Sequence, residues 1–118
     1  MSLNYTGLDE SQLEFVTVGE AADVPNGERL FVEIDDLNIV VFNIAGRHFA
    51  IADLCTHDDG PLGEGEFDAA APYEVDCPRH GAKFDVRSGK AVKLPAIVDI
   101  PAYPVRVKDG SLEVGIPR

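Results

Sequence analysis

The chain's two cysteines stand on two separate short segments, and each segment also carries a histidine. The pattern is Cys55-x-His57, then a spacer of 19 residues (58 to 76), then Cys77-x-x-His80. Thiolate sulfur and imidazole nitrogen are both good ligands for transition metals. Two such segments can close one four-ligand site only if the fold brings them side by side. This requirement constrains the fold more than any other feature of the sequence.

Two thiolates and two imidazoles fit either of two metal centres. One is a tetrahedral zinc ion, and the other is a two-iron cluster in which two histidines replace two cysteines on one iron. Zinc knuckles usually take two cysteines from one turn and two histidines from another, whereas each segment here supplies one of each. This arrangement favours the cluster, with both cysteines on one iron and both histidines on the other. A structural zinc module that binds a protein partner remains the alternative from a different functional class.

The rest of the sequence has the turn residues and short apolar runs that are typical of an all-β protein. It has eleven glycines, eight prolines and short β-branched runs, which indicate short strands joined by frequent turns. We predict tight hairpin turns at Ala45-Gly46 and in "KDGS" at 108–111, and one helical turn before Pro25. The predicted strands are residues 13–18, 29–34, 38–44, 47–52, 73–76, 83–86, 98–100, 104–107 and 111–114. Such a pattern favours a β sandwich or a small barrel.

The domain organisation follows from length and local composition. A chain of 118 residues suits a single domain, residues 1–118. Residues 53–92 are rich in glycine, proline and acids and carry both Cys/His segments. We therefore predict a small metal-binding lobe at about 53–92, inserted into a basal β scaffold formed by residues 13–52 and 93–118.

The charge of the chain is strongly negative and unevenly distributed. The net charge is −11 and the pI is about 4.4, which argues against nucleic acid or an anionic membrane as a partner. Between Arg47 and Arg79 there is no Lys or Arg, and this stretch holds eight acids. These acids suggest that a basic protein partner docks near the metal centre. They are Asp53, Asp58, Asp59, Glu64, Glu66, Asp68, Glu74 and Asp76.

The sequence also gives expectations about location and assembly. Its first ten residues have neither the basic region nor the apolar core of a secretory signal. No apolar run approaches the roughly 18 residues that a membrane span needs. We therefore expect a cytoplasmic protein that does not associate with membranes, and we expect a monomer.

The stretches "CTHDDGPLGEGEF", "CPRHGAKFDVRSGKA" and "LPA" resemble the cluster-binding segments of Rieske-type ferredoxins. The resemblance covers most of the chain, from about residue 13 to residue 114. It implies an all-β fold, an antiparallel β sandwich with a small inserted cluster-binding lobe. It also implies one [2Fe–2S] cluster per chain, with Cys55 and Cys77 on one iron and His57 and His80 on the other.

Within that family, the chain departs from the Rieske proteins of respiratory and photosynthetic cytochrome complexes. Those proteins have an additional cysteine pair that forms a disulfide, at positions where this chain has Gly60 and Arg79. They also have a Ser and a Tyr whose hydroxyls donate to cluster sulfur, where this chain has Ala82 and Phe84. Without these donors, the resemblance implies a low potential, toward the bottom of the roughly −150 to +300 mV Rieske range.

The chain is most similar in these features to the soluble ferredoxin component of ring-hydroxylating dioxygenase systems. The resemblance implies a carrier that takes single electrons from a flavin-dependent ferredoxin reductase and passes them to a terminal oxygenase. We expect no catalytic residues, because the remaining histidine, His48, sits in a predicted strand. Two redox alternatives stay open: the small Rieske-like subunit of another redox enzyme, of the nitrite reductase type, and a housekeeping ferredoxin without an oxygenase.

Overall fold

The computed structural model describes residues 4–53, 65, 67–68, 71–77, 82–93 and 99–117. Within them, eleven strands pair antiparallel in three sheets, and two 3-10 turns occur at Glu10–Gln12 and Ala21–Asp23. The strands are β1 (Leu13–Glu20), β2 (Arg29–Ile34), β3 (Leu37–Ile44), β4 (Arg47–Ala52), β5 (Phe67–Asp68), β6 (Ala71–Asp76), β7 (Lys83–Asp85), β8 (Ala91–Lys93), β9 (Ala102–Tyr103), β10 (Val105–Lys108) and β11 (Ser111–Pro117). The predicted all-β fold is confirmed.

The three sheets form layers around the middle one. The central sheet has the order β2-β3-β4-β9, the terminal sheet β1-β11-β10, and the small sheet β5-β6-β7-β8. No helix among the described residues is long and apolar enough to cross a membrane.

Strand β3 is buried on both of its faces. Residues 39–43 are all buried, and successive side chains of a strand point to opposite faces. Ile39 and Val41 face the terminal sheet, whereas Val40 and Phe42 face the small sheet. The central sheet therefore separates two hydrophobic cores, each of which it shares with one neighbouring sheet.

The two cores contain residues from different sheets, and among the described residues only one of them contains a predicted metal ligand. The terminal core lies between the central and terminal sheets and joins β3 to Leu112, Val114 and Ile116 of β11. The small-sheet core lies between the central and small sheets, and its members include the sulfur-bearing side chain of Cys77. Its buried residues are Val40, Phe42, Ile51, Val75, Cys77, Ala82, Phe84, Val86, Ile100 and Ala102.

The tight hairpins use backbone conformations with positive φ at both central residues. Ala45 and Gly46 have φ of 55° and 87°, and Asp109 and Gly110 have φ of 52° and 81°. Positive φ at both positions is the signature of a type I′ turn, whose twist matches that of the flanking strands. Both predicted hairpins are confirmed. A third one, at residues 35–36 between β2 and β3, was not predicted, although Asp tolerates this conformation.

The strand predictions were right for the long strands and wrong at 98–100. Asp99 and Ile100 are not in a strand, and Val98 lies outside the described residues. The apolar signal there comes from Ile100, which is fully buried in the small-sheet core and donates its N–H to the carbonyl of Gly89 at 2.8 Å. Pro101 follows and has no N–H for a strand ladder. Strands β5, β8 and β9, each of two or three residues, were not predicted.

Gly89 provides a test of this packing, with Gly46 as its matched control. Both have positive φ, but a Cβ on Gly89 would lie 1.9 Å from the carbonyl oxygen of Ile100, whereas a Cβ on Gly46 would meet nothing within 4 Å. We expect Gly46→Ala to lower the free energy of unfolding by about 1 kcal/mol, through backbone strain alone. Gly89→Ala should cost about 3 kcal/mol, because the steric overlap adds to that strain. Denaturant unfolding measures both, and equal losses would contradict this account.

Candidate metal centre

Cys77 lies at the base of the turn between β6 and β7. It directly follows the last residue of β6, and its N–H donates to the carbonyl of Ala82 at 2.6 Å. Strand β7 begins one residue later, at Lys83. This hydrogen bond closes the end, or neck, of the described β6–β7 hairpin. The predicted ligand His80 lies outside the described residues.

The thiol of Cys77 is free and only 2% exposed. Its neighbours in the small-sheet core are apolar, and among them Ala82 and Phe84 are fully buried. Buried cysteines also occur as small hydrophobic residues, so burial alone does not identify a ligand. A buried soft sulfur donor at the neck of a turn, three residues before a histidine, does fit an iron–sulfur cluster.

Strand β4, which precedes the first Cys/His segment, contributes to the same core. Ile51 of β4 belongs to the small-sheet core together with Cys77. The N–H of Asp53 donates to the carbonyl of Asn38 at 2.9 Å, which holds the chain to β3 two residues before Cys55. Cys55 and His57 themselves lie outside the described residues. Ile51, four residues before Cys55, therefore shares a core with Cys77.

The described part of the chain holds only one of the four predicted ligands, Cys77. Accordingly, no group of three or more His, Cys, Asp or Glu that could bind a metal occurs within it. The set of four ligands stays a prediction. The third histidine, His48, is in β4 as predicted, and its Nε2 lies 3.3 Å from the carbonyl oxygen of Val24.

An ion pair flanks the neck of the hairpin. Asp76 and Lys83 face each other across β6 and β7, with Nζ 3.4 Å from Oδ1. Oδ1 of Asp76 is buried and accepts no hydrogen bond from the described residues. Lys83 and Asp76 are therefore close enough for charge attraction, but they form no hydrogen bond. The pair therefore contributes charge attraction across the neck, directly before the buried thiol.

Asp85 and Arg87 organise the turn after β7. The Asp85 carboxylate accepts from the Arg87 backbone N–H at 2.8 Å and from its guanidinium at 2.8 and 3.1 Å. Burial raises the pKa of Asp85, but the hydrogen bonds and charge of Arg87, together with the charge of Lys90, outweigh it, so the net pKa is lowered. The guanidinium also lies 4.3 Å from the ring centre of Tyr73. Asp85 and Gly89 thus build a turn.

Comparison with known proteins identifies the family. The model of the Rieske [2Fe-2S] domain matches residues 14–104, which is most of the chain. The chain belongs to the Rieske [2Fe-2S] domain family. A Rieske domain carries one [2Fe–2S] cluster, so one cluster per chain is implied, as predicted.

Among curated proteins, the chain is similar to the 3-phenylpropionate/cinnamic acid dioxygenase ferredoxin subunit of Escherichia coli K12. The two are 38% identical over 96 residues, which cover 81% of this chain and 88% of that protein. This similarity extends over most of both proteins.

Solved Rieske structures share the fold. The ferredoxin of carbazole 1,9a-dioxygenase from Nocardioides aromaticivorans IC177 superposes with a TM-score of 0.80 at 30% identity, over 88% of this chain and 98% of that one. A ferredoxin solved in complex with the oxygenase of carbazole 1,9a-dioxygenase gives 0.76 at 29% identity, over 85% and 91%. A putative NADH-dependent nitrite reductase small subunit from Mycobacterium tuberculosis gives 0.79, over 90% and 97%, but its 20% identity shows the fold alone.

The apolar surroundings of Cys77 predict how hydroxyl groups would change the potential. The variant Ala82→Ser/Phe84→Tyr places two donors in the core that contains the thiol, and donors to sulfur stabilise the reduced state. We expect the reduction potential to rise by roughly 65–130 mV for each hydroxyl that donates to sulfur, since a hydrogen bond to a charged group contributes about 1.5–3 kcal/mol and a tenfold change, about 1.4 kcal/mol, is 59 mV for one electron.

The matched control is Ala50→Ser, which puts a hydroxyl into the terminal core. Ala50 is 1% exposed, so this change costs stability without adding a donor near Cys77. Its potential, measured by protein-film voltammetry, should equal that of the unmodified protein. If both variants shift the potential alike, the expected effect of local donors is wrong.

Proposed function

We propose that this protein is a low-potential ferredoxin that carries single electrons from a flavin-dependent reductase to a terminal oxygenase. The observation that carries the proposal is the 38% identity to a dioxygenase ferredoxin subunit, over 81% of this chain and 88% of that one. The ferredoxin structures at 29% and 30% identity support it, and one of them was solved bound to its oxygenase. In this proposal the chain transfers electrons and does not itself transform a substrate.

We propose Cys55 and Cys77 as ligands of one iron and His57 and His80 as ligands of the other. The buried free thiol of Cys77, and the presence of Ile51 in the same core four residues before Cys55, support this set. When bound, the cluster supplies a one-electron redox centre. The chain holds the Cys77 thiol away from water, and its apolar neighbours offer the sulfur no hydroxyl donor, which keeps the potential low.

The proposal includes a partner surface and a domain plan. Residues 53–92 form the lobe that presents the metal centre, and the small sheet lies mostly within this range. The acids of this lobe attract a basic face of the reductase or the oxygenase. The proposed protein is a cytoplasmic monomer that binds neither nucleic acid nor membrane.

A second candidate function is the small subunit of a nitrite-reductase-type enzyme. The structural match to such a subunit favours it, but only at the level of the fold. A housekeeping ferredoxin would carry the same cluster, and a partner assay distinguishes it. A structural zinc module would be colourless, so visible absorbance of the purified protein would exclude this alternative.

The first test addresses the ligands. Protein purified without added metal should be red-brown and contain two irons per chain. Cys55→Ser, Cys77→Ser, His57→Ala and His80→Ala should each lose most of the visible absorbance, because each removes one bond to iron. His48→Ala is the control and should keep the spectrum. A colourless protein with one zinc per chain would refute the proposed cofactor and ligand roles together.

The second test addresses electron delivery. With the reductase and oxygenase of a 3-phenylpropionate dioxygenase system, product formation should require this protein. The rate of its reduction should fall between about 0.05 and 0.5 M salt, because screening weakens charge attraction. Asp58→Lys/Asp59→Lys/Glu64→Lys should slow reduction about tenfold or more. Asp9→Lys/Glu14→Lys should change it little, since Asp9 precedes the first 3-10 turn and Glu14 lies in β1. No product formation would contradict the carrier role, and equal rates would contradict docking at the lobe.

A further inference from the structure

Arg29 connects the central sheet to the spacer between the two Cys/His segments. It is the first residue of β2, and its Nη1 donates to the carbonyl oxygen of Gly65 at 2.6 Å. Gly65 is buried and lies 36 residues away along the chain. The bond therefore joins two parts of the molecule that no local turn brings together.

The same guanidinium lies against two aromatic rings. Its Cζ is 5.0 Å from the ring centre of Phe42 on β3 and 5.5 Å from that of Phe67 on β5. The two rings also pack edge to face, with centres 5.0 Å apart and planes at 84°. Arg29 thus contacts one ring on each side of the boundary between the central and small sheets, and a charged planar group is well suited to such contacts.

The residues that Arg29 contacts in the spacer lie between the two predicted ligand segments along the chain. Gly65 and Phe67 lie within the 58–76 spacer. Phe67 pairs with Val75 of β6, and β6 runs directly into Cys77. Holding this part of the spacer therefore restrains the strand that positions one ligand and the chain that follows the other ligand segment.

We propose that Arg29 is a positioning residue for the metal centre, which fixes the spacer to the central sheet and so holds the two ligand segments at one separation. The inference deepens the proposed function and rests on its ligand set. Without the guanidinium, the carbonyl of Gly65 and the two rings lose their common contact. The spacer then opens more often, and each opening would make the proposed ligand residues more accessible to solvent and to chelators.

Arg106 is the matched control for a purely structural role. It also lies over a ring, with Cζ 3.8 Å from the centre of Phe15, and it pairs with Glu113 at 2.6 Å. These contacts lie in the terminal sheet, on the far side of the terminal core. Arg106→Met should therefore lower stability without affecting the spacer.

The variants Arg29→Met and Arg29→Lys distinguish the contributions of the hydrogen-bond donor, the positive charge and the planar shape of the Arg29 guanidinium. Methionine keeps much of the aliphatic length and lacks any donor, whereas lysine can still donate to Gly65 but has no planar fork. We expect cluster loss in the presence of a chelator, followed by visible absorbance, to be about tenfold faster in Arg29→Met, which corresponds to the loss of roughly one net hydrogen bond. Arg29→Lys should recover part of the difference, and Arg106→Met should match the unmodified protein.

Hydrogen exchange gives a readout that does not depend on the identity of the metal. In the protein as purified, Arg29→Met should speed amide exchange within residues 65–77 and leave β11 unchanged. Unchanged exchange there, or equal cluster loss in the Arg29 and Arg106 variants, would overturn the inference. If the protein instead contains zinc, the proposed function fails, while the exchange result still decides whether Arg29 holds the spacer.

Discussion

The burial of β3 on both faces is the constraint on which the rest of the structure depends. Residues 39–43 send alternate side chains into two different cores, so shifting the register of this strand by one residue would exchange its two faces. Its pairing with β2 and β4 is continuous and without bulges. The terminal core then anchors the scaffold, and the small-sheet core receives Cys77.

The small-sheet core serves both folding and redox chemistry. Its apolar side chains bury Cys77 and offer its sulfur no hydroxyl donor at Ala82 or Phe84. In the proposed function, this apolar packing keeps the potential of the cluster low. A more polar core could raise the potential, but each buried hydroxyl would need a partner, and it would cost stability wherever it found none.

Local signals predicted much of the fold, and non-local contacts account for what was missed. The hairpin at Ala45-Gly46 and the Cys/His pattern are readable because their residues are neighbours in sequence. Ile100 misled the strand prediction, since it is buried by packing on Gly89 rather than by pairing in a sheet. The Arg29–Gly65 contact spans 36 residues, and a single arginine at the start of a strand carries no signal of it. Three predicted ligands lie outside the described residues, so their placement rests on the motif.

The position of Arg29 also fits the charge distribution of the chain. Residues 48–78 contain eight acids and no Lys or Arg, so this part of the molecule repels itself and has no positive charge of its own. Arg29 supplies one from the scaffold. Its guanidinium donates to the carbonyl of Gly65 and lies against the rings of Phe42 and Phe67, so contacts to uncharged groups contribute to holding the segment. In the proposed function, the spacer is anchored at a backbone carbonyl and a ring, while its carboxylates attract a basic partner.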